Sequence, residues 1–347
     1  QLPAADAMVN PNLPGDAFPS KNLAGVGVAF YVMLALRAQL RAIGWFATRG
    51  LPEPNLGLYL DLVALGTVAD VVPLDRNNRT LVHQGIRRIQ AGRCVPGIQA
   101  LLEIAGRGLQ RVVAADMGFA VGPRLNAAGR LDDMSVGIEC LLSDDPGAAR
   151  DMATRLDNMN RDRKHIESDM QSRALDVIAA LELKDDALPL GLCLFDPDWH
   201  QGVIGILAAR IKERFHRPVI AFARSEEGEL KGSARSVTGL HIRDALDAVA
   251  VRHPGLIDKF GGHAMAAGLS LAEANYPAFA VAFNEEVARH LSVDDLTGII
   301  YSDGELTAQE LSLDTAQLLR DASPWGQGFP SPLFDGEFRV VSQRVVG

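Results

Sequence analysis

At 347 residues, with 48% hydrophobic and 22% charged side chains, the chain has the makeup of an ordinary globular protein with room for two or three domains. No apolar stretch reaches the roughly 18 to 20 residues of a membrane span, no signal-peptide pattern opens the chain, and Cys94, Cys140 and Cys193 lie far apart without a CxxC. A zinc ribbon and a disulfide framework are therefore excluded, and a reducing cytoplasm fits best.

The net charge of −9 argues against a protein that coats nucleic acid. Residues 76–130 nevertheless hold nine Arg, no Lys, one Glu and one Asp, a local balance of +7. A basic surface on an acidic protein fits this, and so does a set of arginines that cap helices and pair locally.

Residues 1–20, rich in Pro and Asn, read as a loop, with Ser20 as N-cap of a helix reaching residue 43 on Leu23, Val26, Phe30, Met33 and Leu34. The GVG at 25–27 lacks the third Gly and the preceding strand of a dinucleotide fingerprint and reads as tight packing. Within DLVALGTVADVVPL (61–74), residues 59–69 read as a buried strand ending on Asp70. A DRNN turn at 75–78 and helices at 79–91 and 97–105 follow, and this alternation points to an α/β layer with a mostly parallel sheet. Pro146 opens a helix on Met152, Leu156, Met159, Ile166, Met170, Ala174, Val177 and Leu181. Running to residue 183, it is roughly 55 Å long, which suits a connector between domains.

A second α/β unit comes next, with strands at 188–195, 217–224, 229–236 and 266–271, helices at 202–215 and 241–250, and a closing helix to residue 291. Acidic sequence, the turn cluster SPWGQGFPSP (323–332) and a terminal strand then read as the start of a third, mostly β domain. The chain opens on Gln1 rather than Met and closes just after the strand-like FDGEFRVVSQRVV, and both ends read as cut.

Five strings carry chemistry. Asp70, at the carboxyl end of a strand, would point into a ligand crevice and suit Mg²⁺ or Mn²⁺, although an Asp that caps the next turn explains it equally well. Arg124 and Arg130, in the Gly/Pro/Asn-rich GFAVGPRLNAAGRLDD (118–133), read as loop guanidiniums for phosphate or as partners of acids such as Asp132. His200 and Gly202 stand at a strand-to-helix turn that offers backbone N–H groups to an anion. Ser233 and Arg235, in KGSARS, share one face of a strand. Gly262 and His263, in FGGHAMAAGLSL, put a donor beside glycines that let a ligand come close to the backbone.

DLVALGTVADVVPL, GPRLNAAGR, LDNMNRDRKHIE, WHQGVIGILAARI, GSARS and GGHAMAAG occur in the order seen in RecJ single-stranded-DNA exonucleases of the DHH phosphoesterase superfamily, which the chain resembles over nearly its whole length. The resemblance implies the C-terminal part of a parallel-sheet DHH domain (1–145), a long interdomain helix (146–183), an α/β DHHA1 substrate-binding domain (184–291) and the beginning of an OB-fold (292–347). It implies two Mn²⁺ or Mg²⁺ ions and 5′ to 3′ removal of nucleotides from single-stranded DNA, in repair and recombination. A single-strand-binding protein or a recombination helicase would be the protein partner, with no membrane. Asp70 resembles the last metal-ligand motif, Ser233 and Arg235 the phosphate-holding strand, and Gly262 and His263 the DHHA1 signature. The DHH triplet and the acidic motifs before it are absent, so this stretch alone is expected to be inactive. Two alternatives are a phosphodiesterase of oligonucleotides or cyclic dinucleotides and a non-catalytic nucleic-acid-binding scaffold.

Overall fold

The computed structural model describes residues 5–185, 188–225, 228–322 and 324–344, without the side chains of 177 and 179–185. Val177 and Leu181 of the expected helix stripe thus lie outside the described side chains. The chain divides into two compact units, Gln1–Asn160 with Tyr301–Gly347, and Arg161–Ile300.

The first unit is helical where a parallel sheet was expected. Its helices are α1 (Gly25–Ala42), α2 (Trp45–Arg49), α3 (Leu60–Ala69), α4 (Arg76–Gln90), α5 (Pro96–Ile104), α6 (Ala114–Asp116), α7 (Gly122–Leu131), α8 (Ser135–Leu142) and the start of α9 (Pro146–Asp185). Residues 59–69, read as a strand, form α3. Val63, Ala64, Leu65 and Thr67 of that helix are buried, a set that covers more than one face. A short apolar run of this kind carries no period to separate helix from strand. Leu65 joins Ile98, Leu101, Met117, Val121 and Leu156 in the unit's main core.

The buried acid of the run is Asp61, not Asp70. Asp61 is 0% exposed, and its carboxylate accepts from the backbone N–H groups of Leu62 (2.9 Å) and Val95 (2.8 Å). Val95 is the N-cap of α5, so the charge sits where a helix dipole favours it. Replacing Asp61 with Ala leaves the Val95 N–H buried and unpaired, and we expect a loss of about 1–3 kcal/mol in urea unfolding.

Two smaller readings also change. Helix α1 starts at Gly25 with Ala24 as N-cap, while the Ser20 hydroxyl donates to Asp75 Oδ2 at 2.6 Å. Asp75 Oδ1 in turn accepts from Asn78 N at 2.9 Å. Asp75 therefore caps α4, and DRNN is the beginning of a helix rather than a free turn.

The second unit holds a five-stranded sheet in the order β1-β2-β3-β5-β4: β1 (Leu192–Phe195), β2 (Val219–Arg224), β3 (Glu229–Arg235), β4 (Lys259–Gly262) and β5 (Ala266–Ala272). Only β1 and β2 pair in parallel; the other pairs are antiparallel. The connections from β2 to β3 and from β4 to β5 are too short for a crossover and impose hairpins. The sheet is mixed, and its edge strand β4 carries the glycine pair of FGGHAMAAGLSL.

Strand alternation sends Phe222, Leu230, Ala234, Leu269 and Leu271 to one face, against Leu246 of α11 (Ile242–Arg252) and Phe279 and Phe283 of α12 (Tyr276–Ala288). On the other face, Leu192, Leu194, Val219, Ala221 and Ala223 meet Leu207 and Ile211 of α10 (Ile204–Phe215) and Met170 and Ala174 of α9. Helix α10 carries that second cover across β2 onto β3 and leaves β5 and β4 open. The long helix α9 supplies Ala153 and Leu156 to the first unit's core and Met170, Ala174 and Ile178 to the second's, as its apolar stripe predicts.

The chain returns to the first unit with α13 (Leu313–Asp321). After it, Leu74 N–H donates to Gln327 O at 2.7 Å, Trp325 stacks on Phe329 with centroids 5.1 Å apart, and the Arg79 guanidinium lies 3.7 Å from the Phe329 ring centroid. The terminal segment read as a strand forms none among its described residues.

Candidate nucleic-acid interface

The half-sheet that α10 leaves uncovered is the second unit's distinctive surface. Lys231, Ser233 and Arg235 alternate along β3 with the buried Leu230 and Ala234, which turns them toward the open face. Registers place Ser233 beside Gly268, and Gly268 beside Gly261. Arg235 faces Ala266, while Lys231 and Lys259 flank Ser270. The result is a floor of Ser, Gly and Ala carrying Arg235, Lys231 and Lys259, with Lys231 ion-paired to Glu229 on its own strand.

Arg235 and Ser233 reach from this floor to the first turn of α10. A Cβ on Gly205 would stand 3.0 Å from both Arg235 Nη2 and Ser233 Oγ, so only glycine leaves these groups room. Arg235 Nη1 donates to Ser233 Oγ (3.2 Å) and to Ala234 O (2.8 Å). No side chain caps α10; its positive dipole end and the guanidinium converge on one place. Just before the helix, Gly202 N–H donates to His200 Nδ1 at 3.1 Å, which leaves the proton on Nε2 of this exposed ring.

Gly262 and His263 form the β4–β5 turn. Gly262 has φ +152°, and a Cβ there would lie 2.5 Å from Ala266 O and from Ala267 Cα. Any other residue would push the hairpin open. His263 N–H closes the turn on Ala266 O at 2.8 Å, and its side chain is exposed. The structure thus gathers His200, Gly202, Ser233 and Arg235 around the α10 end of the sheet and sets Gly262 and His263 at the far hairpin. Lys231 and Lys259 escaped the sequence reading, although the period-2 pattern of ELKGSAR carries Lys231.

The residues of the first unit fare differently. Arg124 and Arg130 lie on helix α7, not in a loop; Pro123 opens its first turn. The Arg124 side chain is 14% exposed and bonds Asp157 through Nε (2.9 Å) and Nη2 (2.8 Å), and Ala120 O through Nη1 (2.6 Å). It is an internal tie between α7 and α9, not a presented phosphate ligand. Arg130 is exposed on the same helix. Asp70, exposed, is the C-cap of α3 rather than the end of a strand, and Val71 after it takes a left-handed φ of +56°. No hydrogen bond or ion pair engages the Asp70 carboxylate among the described residues.

Among the described residues, no three His, Cys, Asp or Glu side chains gather to hold a metal ion. A hard divalent cation asks for six or more oxygen ligands, some of them water; Asp70 offers one carboxylate, which is not a complete site. The cysteines are inert. Burial, then the Asp61 charge, pushes the Cys94 thiol up to about 11, burial pushes Cys140 up to about 11 and Cys193 higher still. No described helix is long and apolar enough to cross a membrane.

This mixed sheet with its glycine hairpin is of the DHHA1 class: residues 188–289 match the DHHA1 domain, and residues 302–347 match the RecJ OB domain. The single-stranded-DNA-specific exonuclease RecJ of Dickeya dadantii is 62% identical over 346 residues, and that of Escherichia coli 60%; each comparison covers all of this chain and 60% of the relative. The crystal structure of Thermus thermophilus RecJ in complex with Mg²⁺ matches with a TM-score of 0.76 at 33% identity, over 92% of this chain and 46% of that one. Over its whole length the chain is similar to RecJ proteins. It spans 60% of the length of the Dickeya and Escherichia relatives.

Proposed function

We propose that the chain is the strand-holding part of a single-stranded-DNA-specific 5′ to 3′ exonuclease that hydrolyses phosphodiester bonds with divalent cations in repair and recombination. The observation that carries this reading is the uncovered half-sheet, a floor of Ser233, Gly268, Gly261 and Ala266 bordered by Arg235, Lys231 and Lys259. Small residues let a sugar–phosphate chain lie against the backbone, and the cations neutralise it without reading bases. Ser233 Oγ, Arg235 and the α10 N-terminus hold one phosphate, with His200 and Gly202 at its rim; His263 and Gly262 border the path. Arg124 is not part of this set.

Mn²⁺ or Mg²⁺ would supply Lewis-acid stabilisation and an activated water. Asp70 contributes one carboxylate to such a site, and the other ligands come from outside the residues described. Similarity to single-stranded-DNA-specific exonucleases, and to Thermus RecJ in complex with Mg²⁺ and with Mn²⁺, supports the reading.

Arg235→Ala tests it. Titrating a single-stranded oligonucleotide in EDTA at several salt concentrations, we expect binding to weaken roughly 10- to 100-fold, as for a lost charge-assisted bond of ~1.5–3 kcal/mol. The slope of log K against log salt should fall by about 0.7, one single-strand phosphate. An unchanged slope would remove Arg235 from the phosphate site.

A further inference from the structure

Beside Asp70 lies a cavity of about 300 Å³ whose walls include Val68, Val71 and Val72 on one side, Gly118 and Phe119 on another and Trp325 on a third. Its walls are held rigidly. Gly118 packs against Val68, where a Cβ would come within 3.3 Å of Cγ1, and the Trp325 loop is fixed by the bond from Leu74 N–H to Gln327 O and by Trp325 Nε1 donating to Leu319 O at 2.9 Å.

Two side chains at this cavity are placed against expectation for a soluble surface. Phe119 is 86% exposed and sits in a π-helical turn, Met117–Val121, a geometry that recurs at functional sites. Val71, a β-branched residue, is 65% exposed at positive φ, a strained conformation that persists only where its surroundings impose it. Gln327 brings the only polar side chain to the lining. The surrounding sequence, residues 76–130, carries a charge of +7, which complements a polyanion.

We propose that this cavity is an apolar subsite for one nucleobase of the bound strand, with Phe119 as its stacking face. The inference rests on the nuclease reading above and deepens it. A pocket almost without side-chain donors or acceptors cannot distinguish the four bases, whereas an aromatic face stacks on all of them. Such a subsite holds the nucleotide next to Asp70 and accepts every sequence.

The test uses the whole protein in EDTA and single-stranded oligonucleotides carrying 2-aminopurine at successive positions from the 5′ end. Fluorescence should be quenched at one position in particular. Phe119→Ala should abolish that quench and weaken binding about fivefold or more, the fold-change of a lost base–aromatic stack; Phe119→Trp should retain both. Because Phe119 is so exposed, the Ala variant should keep its unfolding midpoint. A quench that is the same in Phe119→Ala at every position would overturn the subsite. The nuclease reading fails separately: Asp70→Ala that still releases nucleotides at the parental rate would refute it even with the Phe119 quench in place.

Discussion

In the intact protein, with the remaining metal ligands present, Asp70→Asn is expected under the proposed function to abolish nucleotide release from single-stranded DNA while leaving the fold as stable as before, or slightly more so. The carboxylate is exposed at the C-cap of α3 and meets no cation or donor among the described residues. A negative charge at that end of a helix is repelled by the dipole, so neutralising it should return about 0.3–1 kcal/mol at low ionic strength. The following Val71 adds strain in its left-handed conformation. Under the proposed function, this helix end, doubly unfavourable to folding, is accounted for by what the acid does for a ligand. Activity should fall roughly 100- to 1000-fold, since Lewis-acid stabilisation is worth several kcal/mol and each ~1.4 kcal/mol is a decade in rate. Metal-dependent release and urea unfolding, measured on the same preparation, separate the two effects. Parental activity in the variant would show that Asp70 is no ligand.

The opposite pattern is expected at Arg124. Arg124→Ala should cost about 1.5–3 kcal/mol of stability, because it removes a charge-assisted tie to the buried Asp157 carboxylate. Lysine should not rescue it, since one ammonium cannot reproduce the fork that reaches both Asp157 and Ala120 O. A double-mutant cycle of Arg124→Ala with Asp157→Asn should show a coupling energy of about 0.5–3 kcal/mol between the two side chains. If Arg124→Ala instead left the unfolding midpoint in place and weakened DNA binding, the phosphate role read from the sequence would stand after all.

These two residues show where sequence reading works and where it stops. Ser233 and Arg235 were legible because a strand's period is two, and alternation alone puts them on one face. Gly262 was legible because a glycine pair before a strand restricts what the backbone can do. Helix α3 was not legible: a ten-residue, mostly apolar segment buried on several sides carries no period that separates helix from strand, and its buried acid is Asp61 rather than the exposed Asp70 that follows it. Arg124 misled for a related reason. Gly, Pro and Asn suggested a loop, but Pro123 sits in a first turn, where a helix tolerates it, and the Asp157 partner is 33 residues away. Phe119 left no sequence signal at all, since exposure of an aromatic side chain is a property of tertiary packing. The family resemblance, by contrast, rested on the order of whole strings, which an error in any one element does not disturb.

The rims of the sheet have a further bearing on how the molecule behaves in concentrated solution. Both outer strands, β1 and β4, are only four residues long, and β4 presents Lys259 and the Gly261–Gly262 pair. The β4 margin, short, charged and glycine-rich, is a poor template for a second sheet to add to, whereas the apolar β1 is guarded only by its shortness. The residues that keep the floor smooth thereby also discourage copies of the protein from joining edge to edge.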